Sequence, residues 1–198
     1  MADKLKLDIG CGRHASFFEG FTGLDVCEPP PAEELAGRPW LRLNFMEDTL
    51  PWAPGTVDEI ISTHVIEHMP RATGVQFLRK AWALLKPGGK LTVTTPDLRI
   101  LCSRYLAGDL PFWNRQHPEF GLSWPGTTLC QRFNHAVHPA WGQGKPWAGH
   151  VYIYDTDDLL IAAHEAGAVP VRIIPESSPY YKRPDHETGI EATKAGGK

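Results

Sequence analysis

The sequence lacks paired cysteines: Cys11, Cys27, Cys102 and Cys130 are widely scattered, and no Cys-x-x-Cys occurs. A thiolate zinc site is therefore unsupported, and the chain reads as a cytoplasmic protein with reduced thiols. No apolar run approaches the ~18 residues that a membrane span needs. The opening MADKLKLDIG passes straight into a strand-like pattern with no apolar signal region. Charge of one sign is not in excess either. Twenty Lys and Arg stand against 23 Asp and Glu, a net charge of −3, which argues against a broad nucleic-acid footprint and leaves room only for a small basic pocket. There is no internal repeat.

What the chain has in quantity is 19 Gly, 18 Pro and 7 Trp among its 198 residues, a composition that implies an irregular portion. The length suits one domain, 1–198, with an insertion at about 98–149. Residues 4–9 alternate Leu5, Leu7, Ile9 and end in a glycine turn, as a strand entering a loop does. Residues 22–27, 40–45 and 57–63 read as further strands. The spacing of Val75, Phe77, Leu78, Ala81, Trp82, Leu84 and Leu85 predicts a helix over 71–86, stopped by Pro87-Gly88-Gly89. A fifth strand follows at 90–95, then a short helix at 97–107. Strands alternating with crossovers predict an α/β, doubly wound, mostly parallel sheet.

Beyond that, 108–149 has no sustained period. Its seven aromatics, Phe112, Trp113, Phe120, Trp124, Phe133, Trp141 and Trp147, predict an ordered lid or substrate-binding insertion rather than disorder. A helix capped by Asp155 or Thr156 runs to Ala166, a strand covers 168–174, and the tail after Gly189 is expected to fray.

The strongest constellation is Asp8-Ile9-Gly10-Cys11-Gly12, with Asp25 at the end of the next strand. Paired glycines let backbone approach a nucleotide without a Cβ in the way. A carboxylate at the tip of the second strand can accept both ribose hydroxyls. Three further features follow in order: Asn44-Phe45 before Leu50-Pro51-Trp52; Val57–Ile61 followed by His64-Val65-Ile66-Glu67-His68; and Leu85-Lys86-Pro87-Gly88-Gly89-Lys90-Leu91.

Over about 4–97, and more loosely over 150–190, this set resembles the class I, Rossmann-like S-adenosylmethionine-dependent methyltransferases, specifically the small type 11-like members. The resemblance implies S-adenosyl-L-methionine as cofactor and S-adenosyl-L-homocysteine as product. Asp8, Gly10, Cys11 and Gly12 would cradle the methionine end, Asp25 and Val26 would meet the ribose, and Asn44 and Phe45 would lie near the adenine. It places His64 by the cofactor and His68 toward an acceptor pocket. Two departures stand out. Asn44 replaces the usual aspartate, and Gly10 to Asp25 spans 15 residues against roughly 20 in a dinucleotide fold. The first crossover helix is therefore expected to be truncated, with Ser16-Phe17-Phe18 packing in its place.

Methyl transfer needs an aligned, water-shielded acceptor, for which orientation supplies ~7–11 kcal/mol in ideal cases. A base is required only when the acceptor is protonated, and histidine is its first candidate. The catalytic candidates are His64 and His68, with His135 and His138 in the insertion, which also holds His117 and His150. Arg99, Arg104, Arg115, Arg132 and Lys145 could pair an anionic acceptor. Asp97 stands at the fifth strand's tip, and Lys182, Arg183 and His186 border the pocket by resemblance. The expected acceptor is a small-molecule metabolite, with no metal and no membrane; nucleic acid is disfavoured, there being no Asn-Pro-Pro-Tyr-type tetrapeptide.

Three rival readings exist. Gly10-x-Gly12-x-x-Ala15 also satisfies the fingerprint of NAD(P)-dependent oxidoreductases. His64-Val65-Ile66-Glu67-His68 matches the H-x-x-E-H zinc pattern, in which one helix face would carry both histidines. A non-catalytic nucleotide-binding partner module would use the aromatic insertion as an interface.

Overall fold

A computed structural model describes residues 4–12, 18–117, 121–122, 124–138, 149–183 and 185–196. The chain opens with β1 (Lys6–Ile9), β2 (Thr22–Asp25), a single turn α1 (Ala32–Leu35) and β3 (Trp40–Arg42). Then come β4 (Val57–Thr63), a 3-10 turn at Ile66–His68, α2 (Arg71–Leu84) and β5 (Leu85–Pro96). Helices α3 (Leu98–Leu106) and α4 (Leu110–Trp113), the small ribbon β6 (Gln116–His117) and β7 (Gly121–Leu122), and α5 (Leu129–Val137) form the insertion. The chain returns through α6 (Thr156–Glu165), β8 (Val171–Ile173) and β9 (Glu187–Thr193).

Seven strands form one sheet in the order β3-β2-β1-β4-β5-β9-β8. Strands β1 to β5 pair in parallel, whereas β9 runs antiparallel to both β5 and β8. The sheet is thus doubly wound and mostly parallel, as expected, and β9 departs from the all-parallel dinucleotide order. The central strands are buried on both faces, the condition that favours runs such as Ile60-Ile61 and Leu91-Thr92-Val93. On α2, Phe77, Leu78, Ala81 and Leu84 form the apolar stripe that covers the sheet. Beside it packs α6, whose N-cap Asp155 accepts from the Asp158 amide. Arg71 joins the two helices by donating to Asp158 at 2.8 Å and Glu165 at 3.0 Å.

Two expectations are corrected. The tail does not fray at Gly189, because 187–193 is the strand β9 paired along its whole length with β5, Thr92 opposite Glu191 and Val93 opposite Ile190. The insertion is also more regular than its lack of period implied. Thr128 and Gln131 form a capping box that starts α5. Leu101, Phe112, Trp113, Trp124 and Ala136 make a second core separate from that of the sheet. The expected truncation of the first crossover, with Ser16 and Phe17, falls on residues outside those described; the flanks 10–12 and 18–21 are not helical. Among the described residues no helix is long and apolar enough to cross a membrane.

Candidate functional site

Strand β1 delivers the chain into Gly10 and Gly12, both at φ +74°, a left-handed conformation that glycine adopts without penalty. Gly10 is also sterically required: a Cβ there would sit 2.1 Å from Val65 Cγ2. The glycine loop and the 3-10 turn after β4 are therefore in direct contact. Gly12 is the opposite case, since a Cβ would meet no described atom within 4 Å. Among the described residues, nothing stands over that backbone.

Asp25, at the tip of β2, is held by two main-chain donors. Gly12 N–H donates to Oδ2 at 2.8 Å and Cys27 N–H to Oδ1 at 2.9 Å. Each oxygen keeps a second lone pair. Asp8 is buried at 3% exposure, and its Oδ1 has no hydrogen-bond partner among the described residues. Burial pushes its pKa up to about 7, against the lowering effect of the Lys182 ammonium and with the Asp25 charge adding to the rise.

Next to this loop lies a hub that ties the tips of β4, β5 and β9. His64 leaves β4 at φ +57°. Its Nε2 lies 2.5 Å from Glu187 Oε1 and its Nδ1 3.3 Å from Glu67 Oε1. Glu67 Oε2 accepts from Thr95 Oγ1 at 3.1 Å, and Glu187 Oε2 accepts from the Lys182 amide at 3.1 Å. Burial alone would lower the imidazole's pKa, but hydrogen bonds to Glu187 and Glu67 outweigh it and hold the pKa at about 9. Glu67 is kept low against its own burial by the same His64 contact. With a carboxylate facing each nitrogen and a pKa of about 9, His64 is held as the imidazolium and has no lone pair for a proton.

The predicted residues divide accordingly. Asp8, Gly10, Gly12, Asp25 and the half-buried Val26 share one edge with His64 and His68. Cys11 contributes backbone: its thiol packs against Gly23, and burial pushes its pKa up to about 12, with Asp8 and Asp25 adding. Asn44 closes its own turn, Oδ1 accepting from the Met46 amide at 3.0 Å. The Phe45 ring is buried edge-on to Phe77, 5.2 Å between centroids, so only its backbone remains for a cofactor.

His68 Nδ1 donates to the Gly149 carbonyl at 2.7 Å. His138 is exposed and donates to the His150 carbonyl at 2.9 Å, a loop-holding bond. His135 is half-buried on α5, its pKa lowered by that burial. Neither joins the His64 hub. Phe112, Trp113, Trp124 and Phe133 pack on one another, with Phe112 and Trp124 stacked at 4.8 Å. Phe120, Trp141, Lys145 and Trp147 lie outside the described residues, as does the side chain of His117.

Four of the candidate basic residues have other tasks. Exposed Arg99 pairs with Asp155 and Asp157, Arg104 with Asp109, Arg115 with Asp185, and Arg132 donates to the Gly126 carbonyl. Asp97 caps α3 and accepts from Thr156. His186 is buried edge-on to Phe112 and Trp124, and burial lowers its pKa to about 4.

Sequence reasoning missed Glu187 and Thr95. The signal for Glu187 was the period-2 pattern Thr188, Ile190, Ala192, which marks a strand and places its first residue at the sheet's carboxyl edge.

Residues 7–93 match the family described as a methyltransferase domain. The chain is 30% identical over 86 residues to the ubiquinone biosynthesis O-methyltransferase of Xanthomonas euvesicatoria pv. vesicatoria (strain 85-10). That alignment covers 40% of this chain and spans only 35% of the relative's length. The fold is similar to human N-acetylserotonin methyltransferase in complex with S-adenosylmethionine, at TM-score 0.56 and 16% identity, covering 96% of this chain and 47% of that one. It is also similar to 1,6-didemethyltoxoflavin-N1-methyltransferase of Burkholderia thailandensis, with 1,6-didemethyltoxoflavin and S-adenosylhomocysteine bound. There the TM-score is 0.54 at 17% identity, covering 96% of this chain and 71% of that one.

Proposed function

We propose that the chain, whose residues 7–93 match a methyltransferase domain, is a class I S-adenosylmethionine-dependent methyltransferase that methylates a small-molecule acceptor held at the carboxyl edge of the sheet. The observation that carries this reading is the pairing of a bare glycine loop with an Asp25 already oriented by the Gly12 and Cys27 amides. The residues fit the cofactor. The buried Asp8 oxygen, unpartnered among the described residues, suits an ammonium group, Gly12 with no described atom near its Cβ position suits a ligand against backbone, and the spare Asp25 lone pairs suit vicinal hydroxyls.

When bound, S-adenosylmethionine supplies a methyl group on a positively charged sulfur. The chain's own residues hold and orient. Asp25 would hold the ribose end, and Gly10 and Gly12 would allow close approach. The backbone at Asn44 and Phe45 would border the adenine. The His64 hub fixes the β4, β5 and β9 tips to one another, which positions the turn carrying Glu67 and His68. His64 itself is a positioning residue, because both its nitrogens face carboxylates. His68, whose Nδ1 donates to the Gly149 carbonyl, is the histidine we assign to the acceptor side of this edge. The insertion, with its own core, stands next to this edge through the Phe112 and Trp124 contacts with His186, and we assign it the role of a lid that excludes water from the acceptor.

The test uses methyl-labelled S-adenosylmethionine with a filtered pool of cellular metabolites and, separately, a pool of macromolecules. Label entering the small-molecule pool, and failing to do so with Asp25→Ala, is the expected result. Label only in macromolecules would overturn the acceptor class, and no transfer to either pool would overturn methyl transfer.

A further inference from the structure

Beside the proposed acceptor site, three side chains converge in a way that cofactor binding does not require. One ligand atom each from Glu67, His68 and His150 lies within 4.8 Å of the others. Main-chain bonds bring them together. The Glu67 carbonyl accepts the amides of Val151 at 2.7 Å and Tyr152 at 3.1 Å, which pins the segment after Gly149 against the Ile66–His68 turn. The His68 and His150 rings then meet edge-to-face, 5.1 Å between centroids.

Both rings are oriented by backbone. His68 Nδ1 is bonded to the Gly149 carbonyl at 2.7 Å and His150 Nδ1 to the Ala136 carbonyl at 2.9 Å. A carbonyl only accepts, so each Nδ1 carries the proton and each Nε2 the lone pair. Outer partners of this kind orient the imidazoles of metal sites and set their tautomer. Glu67 is 0% exposed, and its Oε1 receives no hydrogen bond of normal geometry from the described residues, although the His64 ring lies 3.3 Å away. That oxygen faces the His64 imidazolium without such a hydrogen bond and so keeps its lone pairs for a second cation.

We infer that Glu67, His68 and His150 bind a divalent first-row transition-metal cation through a Glu67 oxygen and the two Nε2 atoms. Two imidazoles with one carboxylate suit zinc, manganese or iron, whereas magnesium and calcium favour all-oxygen sets. Three protein ligands leave a coordination position open, as in reactive rather than purely structural sites. The sequence pattern His64-x-x-Glu67-His68 suggested a metal held by two histidines on one helix face. The fold breaks that pair, because 66–68 is a single 3-10 turn and His64 is committed to two carboxylates. It substitutes His150, carried in from the far end of the insertion. A cation so held engages the His68 lone pair, and an acceptor hydroxyl in the open position would be acidified by the ion instead of by His68.

The test uses untagged, full-length protein stripped with EDTA and desalted, titrated calorimetrically with Zn²⁺ and followed by absorption with Co²⁺. The expected result is one ion per chain, with cobalt bands free of thiolate charge transfer. His150→Ala and Glu67→Gln should each weaken binding by about tenfold or more, while His164→Ala, on the exposed face of α6, leaves it unchanged. Should Glu67→Gln fail to fold, as a buried residue bonded to Thr95 could cause, His150→Ala decides alone once circular dichroism shows it folded. No binding overturns the inference. So does a thiolate band, or affinity unchanged in His150→Ala, which would mark an adventitious ion only.

Discussion

Substituting Gly10 and Gly12 separately distinguishes backbone strain from steric overlap at the loop on which cofactor binding depends. Both residues sit at φ +74°, so an alanine at either costs ~1–2 kcal/mol of left-handed strain. At Gly12 nothing more is added in the free protein, because its Cβ meets no described atom within 4 Å. At Gly10 the new Cβ lies 2.1 Å from Val65 Cγ2 and 3.3 Å from Val65 Cβ. A valine side chain has few rotamers to escape into, and overpacking adds ~1–3 kcal/mol. Gly10→Ala should therefore destabilise by about 2–5 kcal/mol in total, measured by urea unfolding at pH 7. In a double-mutant cycle Val65→Ala should recover the overlap part, giving a coupling of ~1–3 kcal/mol. Equal losses at the two glycines, or additivity with Val65→Ala, would refute the contact between loop and turn. The functional consequence runs the other way: Gly12→Ala, destabilised by the backbone strain alone, still projects a methyl group into the space assigned to the cofactor and should bind S-adenosylmethionine poorly.

Asp8 titrates near pH 7 in the free protein, and only its ionised form attracts a ligand ammonium. Affinity for S-adenosylmethionine should fall with limiting slope of about tenfold per pH unit below 7 and level off above; a flat profile, or an unchanged slope in Asp8→Asn, would contradict this. The Asp185 carboxyl is held well below its usual range by the Arg115 hydrogen bond. Its contribution is thus present above pH 3.8 and lost as pH falls further. Arg115→Ala should cost about 1 kcal/mol or less at pH 7, given partial exposure, and less still near pH 2; a loss that grows with acid would refute the sign. Trp113→Ala, which empties the centre of the second core, should cost ~3–5 kcal/mol. Hydrogen exchange should show it loosening α3 to α5 before the sheet, and uniform loosening would argue against two cores.

Much of this fold was legible because its periodicities are strong. Alternation at Leu5, Leu7 and Ile9 and the 3.6-residue stripe on α2 report burial directly, and the glycines at 10 and 12 report positive φ. Asp25 was legible as a carboxylate beside such a loop. The insertion was not, because its helices are short and their start is written in a side-chain cap, Thr128 with Gln131, that no hydrophobic count detects. The role of β9 was hidden by Gly189, which is required because Ile174 and Thr94 press on it, at 2.7 and 2.9 Å from where its Cβ would lie. Histidine roles were the least legible. Their chemistry depends on which carboxylate or carbonyl each nitrogen meets, and those partners are supplied by Glu187, Gly149 and Ala136, all distant in the chain.

The most direct test of the central claim is calorimetric titration with S-adenosylmethionine and S-adenosylhomocysteine, with NADH as control and Asp25→Ala as the variant. Micromolar binding of both sulfur compounds, abolished in Asp25→Ala and absent for NADH, is the predicted result. Failure of either sulfur compound to bind the folded parent, or binding indifferent to Asp25→Ala, would contradict the assignment of the glycine loop and Asp25 as the cofactor site.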